Sequence, residues 1–310
     1  MLAIFLKTLP FFALIGLGYW AGRTRFFNET ATAHLTRFVF YFALSAMIFR
    51  FAANLAISDV LDWTLVAAYL GASGAIYLLA TFVALIRKRG LEEAAVEAQC
   101  AVIGNVGFLG LPMLALLMGE AAVGPVMLVL SIDLMVFGSL IVILITGARD
   151  GRVSPAVLGT VGLGLLKNPM IMSLAAGLAW SALALPIPVP MGEFLEILGG
   201  AATPGALFAI GASLASKSAE RISVAAWLSF CKLVLHPGAV AIALLLVAGA
   251  DGFPARVIIA AAALPVAGNV YILAQHFGVA PQRVSSAILF STVASILTVS
   301  LVIAMVSQGM

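Results

Sequence analysis

The tripeptide Gly-Asn-Val occurs twice in this chain, as Gly104-Asn105-Val106 and Gly268-Asn269-Val270. Each copy sits in a hydrophobic segment near a proline, Pro112 after the first and Pro265 before the second. An asparagine amide offers donors and an acceptor without a charge. Glycine and proline both disfavour an unbroken helix. Backbone groups freed in lipid must be buried in protein or face a water-filled cavity. If both segments unwind and cross, two half-helix N-termini point into one cavity, and their partial positive charge attracts an anion. The candidate binding residues are therefore Gly104, Asn105, Val106, Pro112, Pro265, Gly268, Asn269 and Val270. The competing reading is two ordinary kinked helices whose asparagines bond to neighbouring helices. Two matching motifs in corresponding places favour a shared site.

Ionisable groups inside apolar segments are costly and are functional candidates by default. Asp133, in Leu130-Ser131-Ile132-Asp133-Leu134-Met135, could carry a proton or bind an ion, or could lie near enough to the interface to be hydrated. Lys232 could neutralise Asp133 or meet an anionic substrate; snorkelling to the surface is the slightly favoured reading. Ser291 and Thr292 join Asp133 and Lys232 as candidates for ion or proton coupling. Ser295 and Ser131 could line the same region, although small hydroxyl residues also simply pack helices together. Gln275 follows Asn269 by six positions, which suggests another helix face. His34 and His276 fall at helix ends and His236 beside Pro237, where solvated or structural roles are expected. Cys100 and Cys231 lack metal-ligand spacing and read as small buried hydrophobes.

These residues must be positioned by membrane-spanning helices. Of 310 residues, 63% are hydrophobic and 9% charged, against roughly 25% charged in a soluble domain. Ten segments approach the ~20 apolar residues a span requires. They run over 2–21, 35–53, 63–86, 97–118, 122–147, 166–185, 196–216, 222–249, 255–277 and 285–307. The first is too long, and too interrupted by Lys7 and Pro10, to read as a cleaved signal peptide. The net charge of +3 needs no nucleic acid to explain it, because the basic residues lie at helix ends.

Arg23, Arg25, Arg37, Arg87, Lys88, Arg89, Arg149, Arg152, Lys167, Lys217, Arg221 and Arg283 belong to odd-numbered loops, and only Arg50 and Arg256 to even ones. The positive-inside rule then places the odd loops in the cytoplasm and both termini outside. Five spans per half make the second half enter the membrane inverted. Lys7, Pro10 and Gly18 of span 1 are echoed by Lys167, Pro169 and Gly177 of span 6, and Ser45 to Phe49 by Pro204 to Phe208. Residues 1–147 read as the first repeat, 148–165 as a cytoplasmic linker and 166–310 as the second. The expected class is thus an all-α integral membrane protein of ten transmembrane helices, with two inverted five-helix repeats and crossing broken helices 4 and 9.

The chain resembles the auxin efflux carrier family, which includes plant auxin exporters and bacterial carriers of malonate and related acids. The matching residues include Pro10 with Gly16-x-Gly18-Tyr19, Gly104 through Pro112, Lys167-Asn168-Pro169 and Pro204 through Gly211. Lys232 with Pro237, Leu264-Pro265 through Tyr271, and Ser291-Thr292 complete the pattern, which spans nearly the whole chain. The resemblance implies the crossover fold shared with bile-acid and sodium/proton carriers. Spans 1, 2, 6 and 7 would form a scaffold, and spans 3–5 and 8–10 a transport domain. Ser45 stands where the family commonly has a proline, which implies a less kinked second span.

The leading expectation is a secondary or facilitative transporter of a small organic anion, working by elevator-type alternating access. It needs no cofactor, with H+ or Na+ as possible coupling ions, and a homodimer in a bacterial inner membrane is expected. Nothing resembles a phosphate-binding Walker loop. The alternative within transport is a sodium-coupled symporter of the bile-acid type, weakened by the lack of an acidic residue in span 9. The rival class is an intramembrane serine protease, suggested by Gly71-Ala72-Ser73-Gly74. That reading needs a histidine base beside Ser73, and only His236 is available. Helix packing through small residues explains the same tetrapeptide more simply.

Overall fold

The structure, a computed structural model, describes residues 2–55, 62–150, 155–215 and 222–307. Among these the chain is helical throughout, and its extended pairing is a single antiparallel bridge between Gly104 and Val266. In chain order the helices are α1 (Leu2–Arg23), α2 (Glu29–Ala52), α3 (Trp63–Ile86), α4 (Leu91–Val102), α5 (Val106–Met118) and α6 (Glu120–Arg149). They continue as α7 (Pro155–Lys167), α8 (Pro169–Ala182), α9 (Val189–Ala215), α10 (Ile222–Val247), α11 (Phe253–Ala262), α12 (Gly268–Phe277) and α13 (Pro281–Ser307).

Seven of these helices are long and apolar enough to cross a bilayer, and the bent pair 161–167 and 169–182, meeting at 72°, makes an eighth span if counted as one. The expected spans 4 and 9 are the exceptions, because each is cut into two short helices, α4/α5 and α11/α12. Together these features describe a multi-pass membrane protein. The segment expected to be a linker carries much of α7. Arg152, Lys217 and Arg221, counted in the loop census, lie outside the described residues.

Two close backbone contacts join α1 to α9 and α2 to α8. A Cβ on Gly18 would lie 2.1 Å from the Phe208 carbonyl oxygen, and one on Gly211 only 1.9 Å from that of Ile15. On the other pair, a Cβ on Gly177 would meet the Phe49 oxygen at 2.8 Å. Without a hydrophobic drive between helices in lipid, such approach is what small residues contribute. The remaining helices enclose a core with Leu109, Leu111, Met113, Met127 and Ile141 at its centre.

Two prolines inside helices, Pro112 and Pro237, are accommodated by wide turns, whereas Pro10 lies in the regular helix α1. Pro112 follows a π-helical segment Val106–Gly110, and Pro237 follows another, Cys231–Leu235. A proline ring clashes with the carbonyl one turn earlier, and a locally widened helix gives it room. Span 2, expected to be smoother for lack of its proline, nonetheless carries a π segment at Val39–Ala43. There the Ser45 hydroxyl donates to the Phe40 oxygen at 3.2 Å.

Candidate functional site

Helices α4 and α11 both stop at the same place. From there the chain runs extended for a few residues before α5 and α12 begin. The two extended stretches pair: Asn105 N–H donates to the Pro265 oxygen at 2.8 Å, and Ala267 N–H to the Ile103 oxygen at 3.1 Å. Val266 N–H is turned to Ser291 of α13, whose hydroxyl accepts it at 3.1 Å. These bonds satisfy backbone groups that would otherwise be exposed at membrane depth. Pro265 belongs here because a residue without N–H loses nothing where only its carbonyl is used. The break in span 4 lies at 103–105, several residues before Pro112, which belongs to the following helix.

A cavity of about 1130 Å³ ends on this crossover. Asn105, Val266, Gly268, Asn269 and Thr292 line it at the crossover, with Phe108 beside them, and Ala206, Ala209 and Ile210 of α9 form the facing wall. Arg23, Arg25 and Arg37 line the same cavity from the end of α1 and from α2. Helices α5 and α12 both begin at the crossover, so their N-terminal ends bring partial positive charge there. Asn105 is only 5% exposed, and the Asn269 Oδ1 atom is buried without a partner. The site therefore combines positive potential with uncharged directional groups.

Of the eight residues expected at a binding site, Asn105, Gly268 and Asn269 reach the cavity wall. Gly104 and Pro265 shape the crossover backbone. Val106 and Val270 point into the protein, buried, and Pro112 stands off the cavity. Thr292 lines the cavity, whereas Ser291 is spent on the crossover backbone. Ser295 and Ser131 bond within their own helices, to the Thr292 and Met127 oxygens. Gln275, expected on another face, lines the same cavity and donates to the Tyr271 hydroxyl at 2.9 Å. Spacing from Asn269 missed it, because Gln275 shares its face with Gly268 and Tyr271, seven and four positions earlier, and these line the cavity too. His34 and His276 are exposed.

The charged candidates form a second, closed cluster behind the crossover. Asp133 is 3% exposed, not hydrated, and its Oδ1 accepts from the Tyr69 hydroxyl at 2.8 Å. Lys232 does not snorkel: it is fully buried, its Nζ donates to the Ala262 oxygen, and it lies 3.1 Å from His236 Nδ1. Among the described residues Asp133 and Lys232 form no direct ion pair, although they are near enough to attract one another.

His236 Nε2 lies 2.9 Å from the Ser73 hydroxyl, so the serine and histidine of the protease reading do meet. The chemistry is wrong for hydrolysis. Among the described residues the other ring nitrogen, Nδ1, faces the Lys232 Nζ at 3.1 Å and not a carboxylate that would stabilise an imidazolium. Both residues are also fully buried and absent from the cavity wall. The pair is a structural link between α3 and α10.

A multi-pass helical protein whose cavity ends on two interrupted helices belongs to the class of membrane transporters. The family model described as "Membrane transport protein" matches residues 3–303, and the chain belongs to that family, the auxin efflux carrier family. A protein of Rhizobium meliloti named "Putative malonate transporter" is 30% identical over 307 residues, covering 97% of this chain and 95% of that one. The "Uncharacterized transporter YfdV" of Escherichia coli K12 is 26% identical over 313 residues, covering 97% of each. A mouse "Lysosomal cholesterol signaling protein" is 28% identical over 227 residues, which is 69% of this chain and 26% of that protein. The family and these transporter names point to a transporter and not to an enzyme.

Proposed function

We propose that this transporter moves a small organic anion, a malonate-like or auxin-like carboxylate, bound at the crossover. The observation that carries the reading is the cavity ending on Asn105, Asn269, Gly268 and Thr292, with Arg23, Arg25 and Arg37 along its approach. Arginines and helix N-termini raise the local anion concentration. The asparagine amides orient a carboxylate without the desolvation cost of a buried cation. The malonate in the name of the Rhizobium relative supports a dicarboxylate.

The same reading takes the helices as ten spans: α1, α2, α3, α4 with α5, α6, then α8, α9, α10, α11 with α12, and α13. Two inverted five-helix repeats would then be related by exchange of the two halves. The glycine contacts favour it, because the α1–α9 contact becomes the α8–α2 contact under that exchange. Spans 1, 2, 6 and 7 serve as a scaffold and dimerise, and the others carry the substrate across by an elevator movement. Both termini lie outside a bacterial inner membrane, so the cavity opens to the cytoplasm. Asp133 and Lys232, with Ser291 and Thr292 nearby, couple the cycle to a proton or a sodium ion.

Uptake of radiolabelled malonate into proteoliposomes, with other mono- and dicarboxylates and an indole carboxylate as competitors, tests the proposal. Asn105→Ala and Asn269→Ala should each lower uptake by about tenfold or more, the loss of one good hydrogen bond to a charged ligand. Wild-type rates in both, from monodisperse protein, would sink the site assignment.

A further inference from the structure

Helix α1 ends at the cavity, where Gly22 and Arg23 line it, and α13 begins there, with Gln282, Ser285, Ile288 and Thr292 on the wall. Away from the cavity the two helices pack together, and the Thr8 and Ser300 hydroxyls lie 2.9 Å apart, both buried. At ~1.5 Å per residue, the pair stands roughly 12 Å beyond Thr292 along α13 and about 21 Å from Gly22 along α1. The helices are thus apart around the cavity and joined beyond it. In the ten-span reading above, α1 belongs to the scaffold and α13 to the part that moves. The hydrogen bonds described at the crossover and behind it stay within the moving part, whereas Thr8–Ser300 joins the two.

Each hydroxyl also has an acceptor on its own helix. Thr8 Oγ1 is 2.9 Å from the Phe5 oxygen, and Ser300 Oγ is 3.0 Å from that of Ile296. A hydroxyl has one proton, so in the joined state one of the two donates to the other, which in turn donates to its own backbone. If the helices part, both donate to their own backbone carbonyls. Neither becomes an unsatisfied donor at membrane depth, so the bond opens for less than a buried polar group ordinarily costs. A buried ion pair at the same place would resist separation far more strongly.

We infer that the Thr8–Ser300 pair is a reversible latch that closes the membrane side opposite the cavity mouth and biases the resting protein toward the state seen here. The inference rests on the carrier reading above and names the contact that must break before the cavity can open to the other side.

Ala304, one turn beyond Ser300 on the same face of α13 and 1% exposed, provides the reporter. Ala304→Cys is labelled by a membrane-impermeant maleimide from the face opposite the cavity mouth, without substrate, so that the rate reads how often α13 leaves α1. Labelling should be slow with the latch intact and rise about three- to tenfold on Thr8→Val or Ser300→Ala, the loss of one hydrogen bond. The double variant should add little to either single change, because both remove the same bond. Thr8→Ser keeps a hydroxyl and should keep the slow rate. Melting temperatures should stay close to the parent's, since the remaining hydroxyl retains its own helix acceptor. Labelling unchanged in both single variants, with or without a lower melting temperature, would overturn the latch, as would full additivity in the double variant. In a second arm, Thr8→Cys with Ser300→Cys, joined by copper-phenanthroline oxidation, should stop malonate uptake in proteoliposomes, and dithiothreitol should restore it. A cross-linked protein that still transports would also overturn the latch. Should wild type move no malonate while the labelling pattern holds, the substrate proposal fails and the latch stands.

Discussion

Asp133 keeps one carboxylate oxygen on the Tyr69 hydroxyl and leaves Oδ2 buried without a partner. An unpartnered buried oxygen is expensive unless it serves as a place for a proton. Asp133→Asn preserves shape and the Tyr69 contact while removing the exchangeable charge. Uptake measured across the range from acid to neutral pH should lose its pH dependence in this variant, and an unchanged profile would leave Asp133 purely structural. Ser291 makes a different sort of contribution. Its hydroxyl is the acceptor for Val266 N–H, so Ser291→Ala leaves a backbone donor buried and unsatisfied. A loss of about 1–3 kcal/mol is expected, read as a lower melting temperature with substrate affinity far less affected. Asp133, Lys232 and the two asparagines were legible because polar groups are rare in such apolar sequence. The Ser73–His236 bond was not, since its partners lie 163 residues apart and each has an ordinary local explanation.

At the scale of elements, the first turns of α4 are tied down by a charge network. Glu97, 1% exposed, receives Arg87 from just beyond α3 on one oxygen and Arg283 from α13 on the other, the latter at 2.7 Å. Arg283 also reaches Glu93 at 3.0 Å, and Arg149 at the end of α6 bonds Glu92 at 2.9 Å. Removing the central carboxylate takes the ion-pair partner from Arg87 and leaves the largely buried Arg283 with Glu93 alone. Glu97→Ala should therefore cost about 3–5 kcal/mol, seen as a large fall in melting temperature, with Glu97→Gln intermediate. Hydropathy was enough to locate the seven helices long enough to cross a bilayer, and the paired Gly-Asn-Val motifs marked the two interrupted helices. One proline misled in detail: Pro112 suggested the break in span 4, but a π turn absorbs it. Helix α7 was missed because its apolar face begins inside a stretch read only by its charges.

For the whole molecule, the cavity reaches the crossover from the side of Arg23, Arg25 and Arg37, between α9 and the helices of the crossover. With Cys100 and Cys231 both buried, a cysteine placed at Ile210 gives a clean report. In everted vesicles Ile210→Cys should react with a membrane-impermeant maleimide, substrate should slow the reaction by about tenfold at saturation, and right-side-out vesicles should label poorly. Equal labelling from both sides would contradict a cavity open to the cytoplasm alone.

The bridge between Gly104 and Val266 also limits how the sequence can change in length. Extended chains alternate their faces residue by residue, so a register slip of one position turns every side chain to the opposite side. One residue added between Ile103 and Asn105, or between Pro265 and Ala267, would keep the helices and their hydropathy yet turn Asn105 or Asn269 away from the cavity. Exposed connections such as residues 183–188, between α8 and α9, carry no such constraint. Across descendants of this chain, gaps and insertions should therefore accumulate freely in those connections and be purged from the two five-residue windows around the bridge, even where the residues themselves drift.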